Sequence, residues 1–188
     1  MKINNVKTKF PRFQIHQKKK ERMMTRIVVG LVLLVLVLAV LAITGHKRVY
    51  TALSINSTPQ AIWSVLMDNS SYGEWNPFAV KVEGQYRLDA EMTVHGLMPG
   101  ASKPVVMKVR VKKLEENVLL HQHGGFPGII TYDHRFHLQP QNDGTTLLIQ
   151  EEDYHGLYVW FWDAKVMQPI YESVNKALAN YIKTEQKN

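Results

Sequence analysis

The chain of 188 residues contains no cysteine. That absence excludes a disulfide framework, a thiolate metal site, a cysteine nucleophile and lipidated cysteine. It fits either side of a membrane, so the redox compartment stays open. Polar side chains are missing from one long run: Ile27 to Ile43 holds 17 consecutive residues without any, and Thr44 and Gly45 extend it to 19. Basic excess is missing from everything after that run. Nine Lys/Arg and one acid, Glu21, lie in residues 1–45, which leaves 14 basic and 15 acidic residues from His46 onward. The formal charge of +7 therefore belongs to the amino-terminal segment. Nucleic-acid binding needs its charge on a folded face, so no nucleic-acid partner is expected. No repeat, low-complexity tract or nucleophile elbow is present. Gly124-Gly125-Phe126-Pro127-Gly128 lacks the Lys-Ser/Thr and the helix of a phosphate loop and reads as a flexible turn.

At about 1.5 Å per helical residue, the apolar run spans roughly 26–29 Å, close to the hydrocarbon thickness of a bilayer. It is apolar all round, which an amphipathic surface helix is not. A cleaved signal peptide competes with a membrane span, but its apolar region normally runs only about 7–15 residues. The expected organisation is a basic tail over 1–26, a transmembrane helix over 27–45 and one domain over 46–188. Nine basic residues before the span against Lys47 and Arg48 just after it favour a cytoplasmic amino terminus. The protein is then single-pass, with its domain on the outer side, periplasmic or extracellular. Phe10, Phe13 and Ile15, mixed with the basic run, suit either an anionic leaflet or a solvated tail.

Val49 to Ile55 alternates apolar and polar residues and predicts a strand. Ser57 or Thr58 can cap a short helix over 59–67, with Pro59 in its first turn. Any second helix ends near Trp75, because Pro77 forces Asn76 out of helical geometry. Six strands are expected at about 80–83, 89–95, 105–114, 118–123, 130–139 and 145–154. Short connections make the sheet antiparallel. Trp160, Ala164, Met167, Tyr171, Val174, Leu178 and Tyr181 form one helical stripe, in which Pro169 predicts a kink or the true start. The class is α+β: a sheet of six or seven strands whose concave face is covered by the last helix.

These pieces resemble the START-like (SRPBCC) superfamily, the polyketide cyclase/dehydrase and lipid-transport group. Ser57-Thr58-Pro59-Gln60-Ala61-Ile62-Trp63 is similar to the opening of its first helix. Tyr72-Gly73-Glu74-Trp75-Asn76-Pro77-Phe78 resembles its Trp-Asn-Pro signature. Phe126-Pro127-Gly128 with His134-Arg135-Phe136-His137-Leu138 looks like its paired central strands. Asp143-Gly144-Thr145-Thr146 and Glu151-Glu152-Asp153-Tyr154-His155-Gly156-Leu157 are like its last hairpin and exit, and Asn175-Lys176-Ala177-Leu178 is like its terminal helix. The resemblance covers about 49–181. It implies the helix-grip fold and a cavity for a hydrophobic small molecule or lipid, with no universal catalytic motif. A membrane anchor departs from its mostly soluble members.

Candidate cavity residues are the aromatics Trp75, Phe78, Phe126, Tyr132, Phe136, Tyr154 and Tyr171, with Trp160 on the same helical stripe. Met92, Met107 and Met167 suit a pliable wall. His121, His123, His134 and Glu151 are the candidates for acid–base work, which needs a titratable group inside the cavity. His121 and His123 are two apart on a strand and share a face. His134 and His137 do not, so no tetrahedral ligand set forms. No metal or other cofactor is expected, and no catalytic residue is assigned. The expected partners are an apolar small molecule or lipid and, through residues 27–45, a membrane. The rival readings are a cyclase- or hydrolase-like enzyme and a protein-interaction domain with a filled core.

Overall fold

A computed structural model describes the backbone of residues 12–186 and the side chains of residues 18–186. The sequence reading of Phe10, Phe13 and Ile15 lies outside the described side chains. The chain forms two compact units, residues 1–40 and 41–188.

The first unit is carried by helix α1, Arg12–Thr44. The helix starts well before the apolar run, because no proline or glycine interrupts Arg12 to Val29 and Lys, Arg, Glu and Met all favour helix. Every side chain from Lys18 to Val40 is exposed.

The second unit opens with strand β1 (His46–Ile55), followed by α2 (Pro59–Met67) and the single turn α3 (Tyr72–Trp75). Thr58 caps α2, its Oγ1 accepting from Ala61 N at 3.2 Å, with Pro59 in the first turn. The Asn76-Pro77 pair has a specific task. Asn76 Oδ1 accepts from Phe78 N at 2.9 Å and Ala79 N at 2.8 Å, and so turns the chain from α3 into the sheet.

Six strands follow: β2 (Ala79–Glu83), β3 (Glu91–Gly96), β4 (Val105–Glu115), β5 (Leu119–Phe126), β6 (Ile130–Pro140) and β7 (Thr146–His155). With β1 they make one antiparallel sheet in the order β1-β7-β6-β5-β4-β3-β2. All neighbours but one are joined by hairpin-type links. The exception is the pairing of β1 with β7, which the passage through α2 and α3 makes possible. The sheet is curled, and helix α4 (Gln168–Glu185) lies against it.

Pro169 marks the true start of α4 rather than a kink. Residues 157–160 and 164–167 are separate 3-10 turns, so Trp160, Ala164 and Met167 do not belong to one continuous helix with Tyr171. The buried face of α4 is Ile170, Tyr171, Val174, Asn175, Leu178 and Ile182. Tyr181 sits at its edge, its hydroxyl on Glu74 at 3.1 Å. Burying a leucine such as Leu178 completely is worth roughly 1.5–3 kcal/mol, so this stripe fixes α4 on the sheet.

The apolar interior divides into two clusters. One gathers Ile62, Leu66, Leu120, Leu138, Leu148 and Leu178. The other gathers Val49, Tyr154, Val159, Met167, Ile170 and Tyr171. Phe78 and Tyr132 pack against both, and the space they border is not filled.

Candidate functional site

The unfilled space is a cavity of about 340 Å³ between the sheet and α4. Strand parity builds its floor. Residues directly opposite each other on antiparallel strands point to the same face. Gln122, His134 and Glu152 lie side by side across β5, β6 and β7. The next inward row is Gly124, Tyr132 and Tyr154, and the row on the other side is Leu120, Phe136 and Gln150. Gly124 is needed there: a Cβ would sit 2.6 Å from the Tyr132 ring, so the glycine gives that ring its place.

The walls are apolar. Phe78, Val82, Val94, Met107 and Val109 form one side, and Met167, Tyr171 and Val174 form the other. The polar atoms are concentrated on the floor. Gln150 Nε2 lies 3.0 Å from His134 Nε2. With the amide in that orientation, Gln150 Oε1 has no hydrogen-bond partner; in the other, its NH2 has none. The Tyr154 hydroxyl donates a very short hydrogen bond to Glu152 Oε2 and lies 3.2 Å from the Tyr171 hydroxyl.

Burial sets the charge of this floor. It pushes the Glu152 carboxyl up to about 8, with Tyr154's hydrogen bond opposing and Asp133 and Asp153 adding to the rise. Burial pulls the His134 imidazole down to about 4, helped electrostatically by neighbouring Arg135 and His121. The Tyr132 and Tyr154 hydroxyls are held far above the usual tyrosine range, by burial first and by nearby Glu152 second. At neutral pH the cavity therefore contains donors and acceptors but no net charge. Such a row can orient one carbonyl or hydroxyl of an otherwise apolar molecule.

Seven of the residues proposed from sequence line the cavity: Phe78, Met107, Tyr132, Phe136, Tyr154, Met167 and Tyr171. Five do not. Trp75 is packed into the first core cluster, 6% exposed, and Met92 is sealed there at 0%. Phe126, at the β5–β6 tip, faces solvent. His121 and His123 are on the outer face, because they oppose Arg135 and Asp133 rather than the inward residues of β6. Both bond Asp133 Oδ1, at 2.7 and 3.2 Å. Burial raises the Asp133 pKa, and the two imidazoles outweigh it, so the carboxyl stays below its usual range.

Glu151 is also outside the cavity. It pairs with Arg48, with Arg135 at 3.6 Å and with His137 at 3.3 Å. Asp153 joins this outer network through Arg135 at 2.7 Å and His46 at 2.9 Å. Of the acid–base candidates only His134 reaches the cavity. The residues missed were Glu152, Gln150 and Gln122. The signal was available: with Tyr154 inward on β7, the period of two selects Glu152 and Gln150, not Glu151. Among the described residues no group of three or more His, Asp or Glu side chains is placed to hold a metal ion.

No protein-family model matches the sequence, and no curated protein matches it. Solved structures match the fold. A START superfamily protein from Mycobacterium smegmatis is 20% identical, covering 74% of this chain and 99% of its own, with a TM-score of 0.59. The Zhui aromatase/cyclase from a Streptomyces species is 12% identical, covering 73% and 94%, also at 0.59. Norcoclaurine synthase from Thalictrum flavum, solved with dopamine and hydroxybenzaldehyde, is 14% identical, covering 74% and 87%, again at 0.59. The seven-stranded curled sheet, its covering helix and these likenesses together give residues 46–186 the START-like helix-grip fold.

Proposed function

We propose that this protein holds an apolar small molecule or a lipid in the cavity of its START-like domain, and that residues 27–45 tether that domain to a membrane. The observation that carries the reading is the cavity itself: apolar walls above a short row of uncharged polar groups, one of them lacking a partner. A pocket of this composition recognises an apolar body bearing a single polar head. Norcoclaurine synthase, which shares the fold, is seen with two small aromatic molecules, in keeping with such a use of this architecture. The titratable groups open to a bound molecule are Glu152 and His134, because His121, His123 and Glu151 face away from the cavity.

The tether reading is supported by a helix whose apolar stretch is long enough to cross a bilayer and has no buried side. The excess of Lys and Arg before it supports a cytoplasmic amino terminus and an outward domain.

The full chain, extracted from its own membrane in mild detergent, is expected to release an apolar molecule into organic solvent in near-stoichiometric amount. The stripped protein should take up an apolar fluorophore that this molecule displaces. An empty extract combined with no uptake of the fluorophore refutes the binding reading. Protease added to intact cells is expected to cut within residues 46–188. Protection until the cells are opened places the domain inside instead.

A further inference from the structure

Exposed large apolar side chains are scattered over the domain, at Leu88, Val106 and Val118 among others, but most of the aromatic ones gather in one place. At the β5–β6 tip Phe126 is 71% exposed and Ile129 57%; in the segment after β7, Trp160 is 53% exposed and Phe161 77%. The two segments are joined by backbone hydrogen bonds, Leu157 N to Gly128 O at 3.1 Å and Tyr158 N to Ile129 O at 2.9 Å. Neither contains a charged side chain: residues 124–131 read GGFPGIIT and residues 156–162 read GLYVWFW. Elsewhere the domain surface is rich in ion pairs.

The same place is where the chain enters the domain. Gly156 N donates to Gly45 O at 3.1 Å, and Trp160 Nε1 donates to Leu41 O at 3.0 Å. A Cβ on Gly45 would lie 2.1 Å from Gly156 O, so the two backbones touch. Ile43, the last residue of the apolar run, is only two positions before Gly45. Tyr158 belongs both to this segment and to the cavity lining, and with Val105 it is one of the two lining residues that are half exposed or more. The apolar surface is therefore continuous with the cavity's mouth.

We propose that this aromatic rim seats in the interfacial layer of the bilayer that residues 27–43 cross, so that the cavity opens onto lipid rather than onto water. The inference rests on the membrane-span reading of that segment. Three observations select a bilayer as the occupant: continuity with the apolar run, the lack of charged side chains within the two segments, with Lys47 and Asp163 at their border as suits the headgroup layer, and the chemistry of the exposed residues. Tryptophan and tyrosine place an apolar ring and a polar N–H or O–H at the same depth, which suits the headgroup boundary. A ligand that partitions into membranes then exchanges without crossing water.

The absence of cysteine makes the test direct. Phe126→Cys, Phe161→Cys, Leu34→Cys and Glu116→Cys are made singly in the full chain and labelled with a nitroxide. Each is reconstituted at low density into vesicles of phosphatidylcholine and phosphatidylglycerol. Collision with oxygen and with a water-soluble nickel chelate reads the depth of each label. Labels at 126 and 161 are expected to favour oxygen over nickel, between the values for Leu34→Cys in the hydrocarbon and Glu116→Cys in water. If 126 and 161 behave like 116 while 34 reads hydrocarbon, the rim proposal is overturned and the span stands. If 34 itself reads water, the span reading fails, and this inference with it. Labels at 126 and 161 shielded from both reagents, or broadened by a neighbouring spin, point to a protein partner or a second copy and also overturn it.

Discussion

Glu152→Gln is expected to leave stability little changed below pH 4.5 and to make the protein more stable than wild type by up to about 5 kcal/mol at pH 9. The cause is a proton that the folded state keeps. A free glutamate loses it near 4.5, whereas burial raises the folded Glu152 to about 8. Below 4.5 both states bind the proton and the native state suffers no penalty. As the pH rises from 4.5 toward 8, the unfolded chain releases the proton while the native state holds it, so wild-type stability falls. Above 8 the native carboxyl ionises in a buried site and the loss is complete. Glutamine still accepts from the Tyr154 hydroxyl and has no proton to lose, so its curve lacks this decline. His134 acts in the opposite direction. Its folded value of about 4 lies below the ordinary 6.5, so its contribution is present above 6.5 and is lost as pH falls toward 4. That term is common to both proteins and cancels in their difference. Denaturant midpoints of the two full-length chains across pH 4.5–9 measure the gap. Parallel curves would show Glu152 already ionised in the native state.

The same two values define a window. Between about pH 4 and pH 8 neither Glu152 nor His134 carries charge in the folded protein. A pocket built to hold an anion or a cation would place a fixed opposite charge within reach; this one places its charges elsewhere. The carboxylates of β6 and β7 pair with arginines and accept from or face the other histidines on the outer face, one residue out of phase with the floor. Parity along the strand thus sorts charge from cavity.

That parity explains which parts of the site could be read in the sequence. The strands themselves were legible, because alternation and turn residues survive in the primary pattern. The turn at Asn76-Pro77 was legible from the restriction a proline imposes on its neighbour. The aromatic walls on β6 and β7 were legible because Tyr132, Phe136 and Tyr154 are large and apolar and share a phase. His121 and His123 were misread because a single strand does not say which of its two faces is inward. Only the pairing of His121 with Arg135 and of His123 with Asp133 decides it. Glu152 was passed over for Glu151 because a buried carboxyl runs against the ordinary preference of charged groups for water. The stripe from Trp160 to Tyr181 looked continuous because the spacing of a helix and that of a 3-10 turn are close. Pro169 is where one gives way to the other. Trp160 was thereby assigned inward, although it is half exposed beside the chain's point of entry.

Val94→Trp is expected to abolish uptake of an apolar ligand, lowering affinity by 100-fold or more, while the protein stays folded. Val94 stands on β3 between Val82 of β2 and Met107 of β4, and all three line the cavity wall. An indole there projects into space that is empty in the folded protein, so it gains contacts rather than forcing the core apart. A void contributes no dispersion, and filling one restores it. Stability without ligand should therefore hold or rise slightly. Stability with ligand should diverge: a ligand present at 100 times its dissociation constant stabilises wild type by about 2.7 kcal/mol, and that increment should vanish in the variant. The paired measurement separates two causes of lost binding. A variant that merely unfolds loses stability in both conditions, and a blocked cavity loses only the ligand's increment. If Val94→Trp binds as wild type does and keeps the increment, the ligand sits outside this cavity, and its apolar walls serve packing alone.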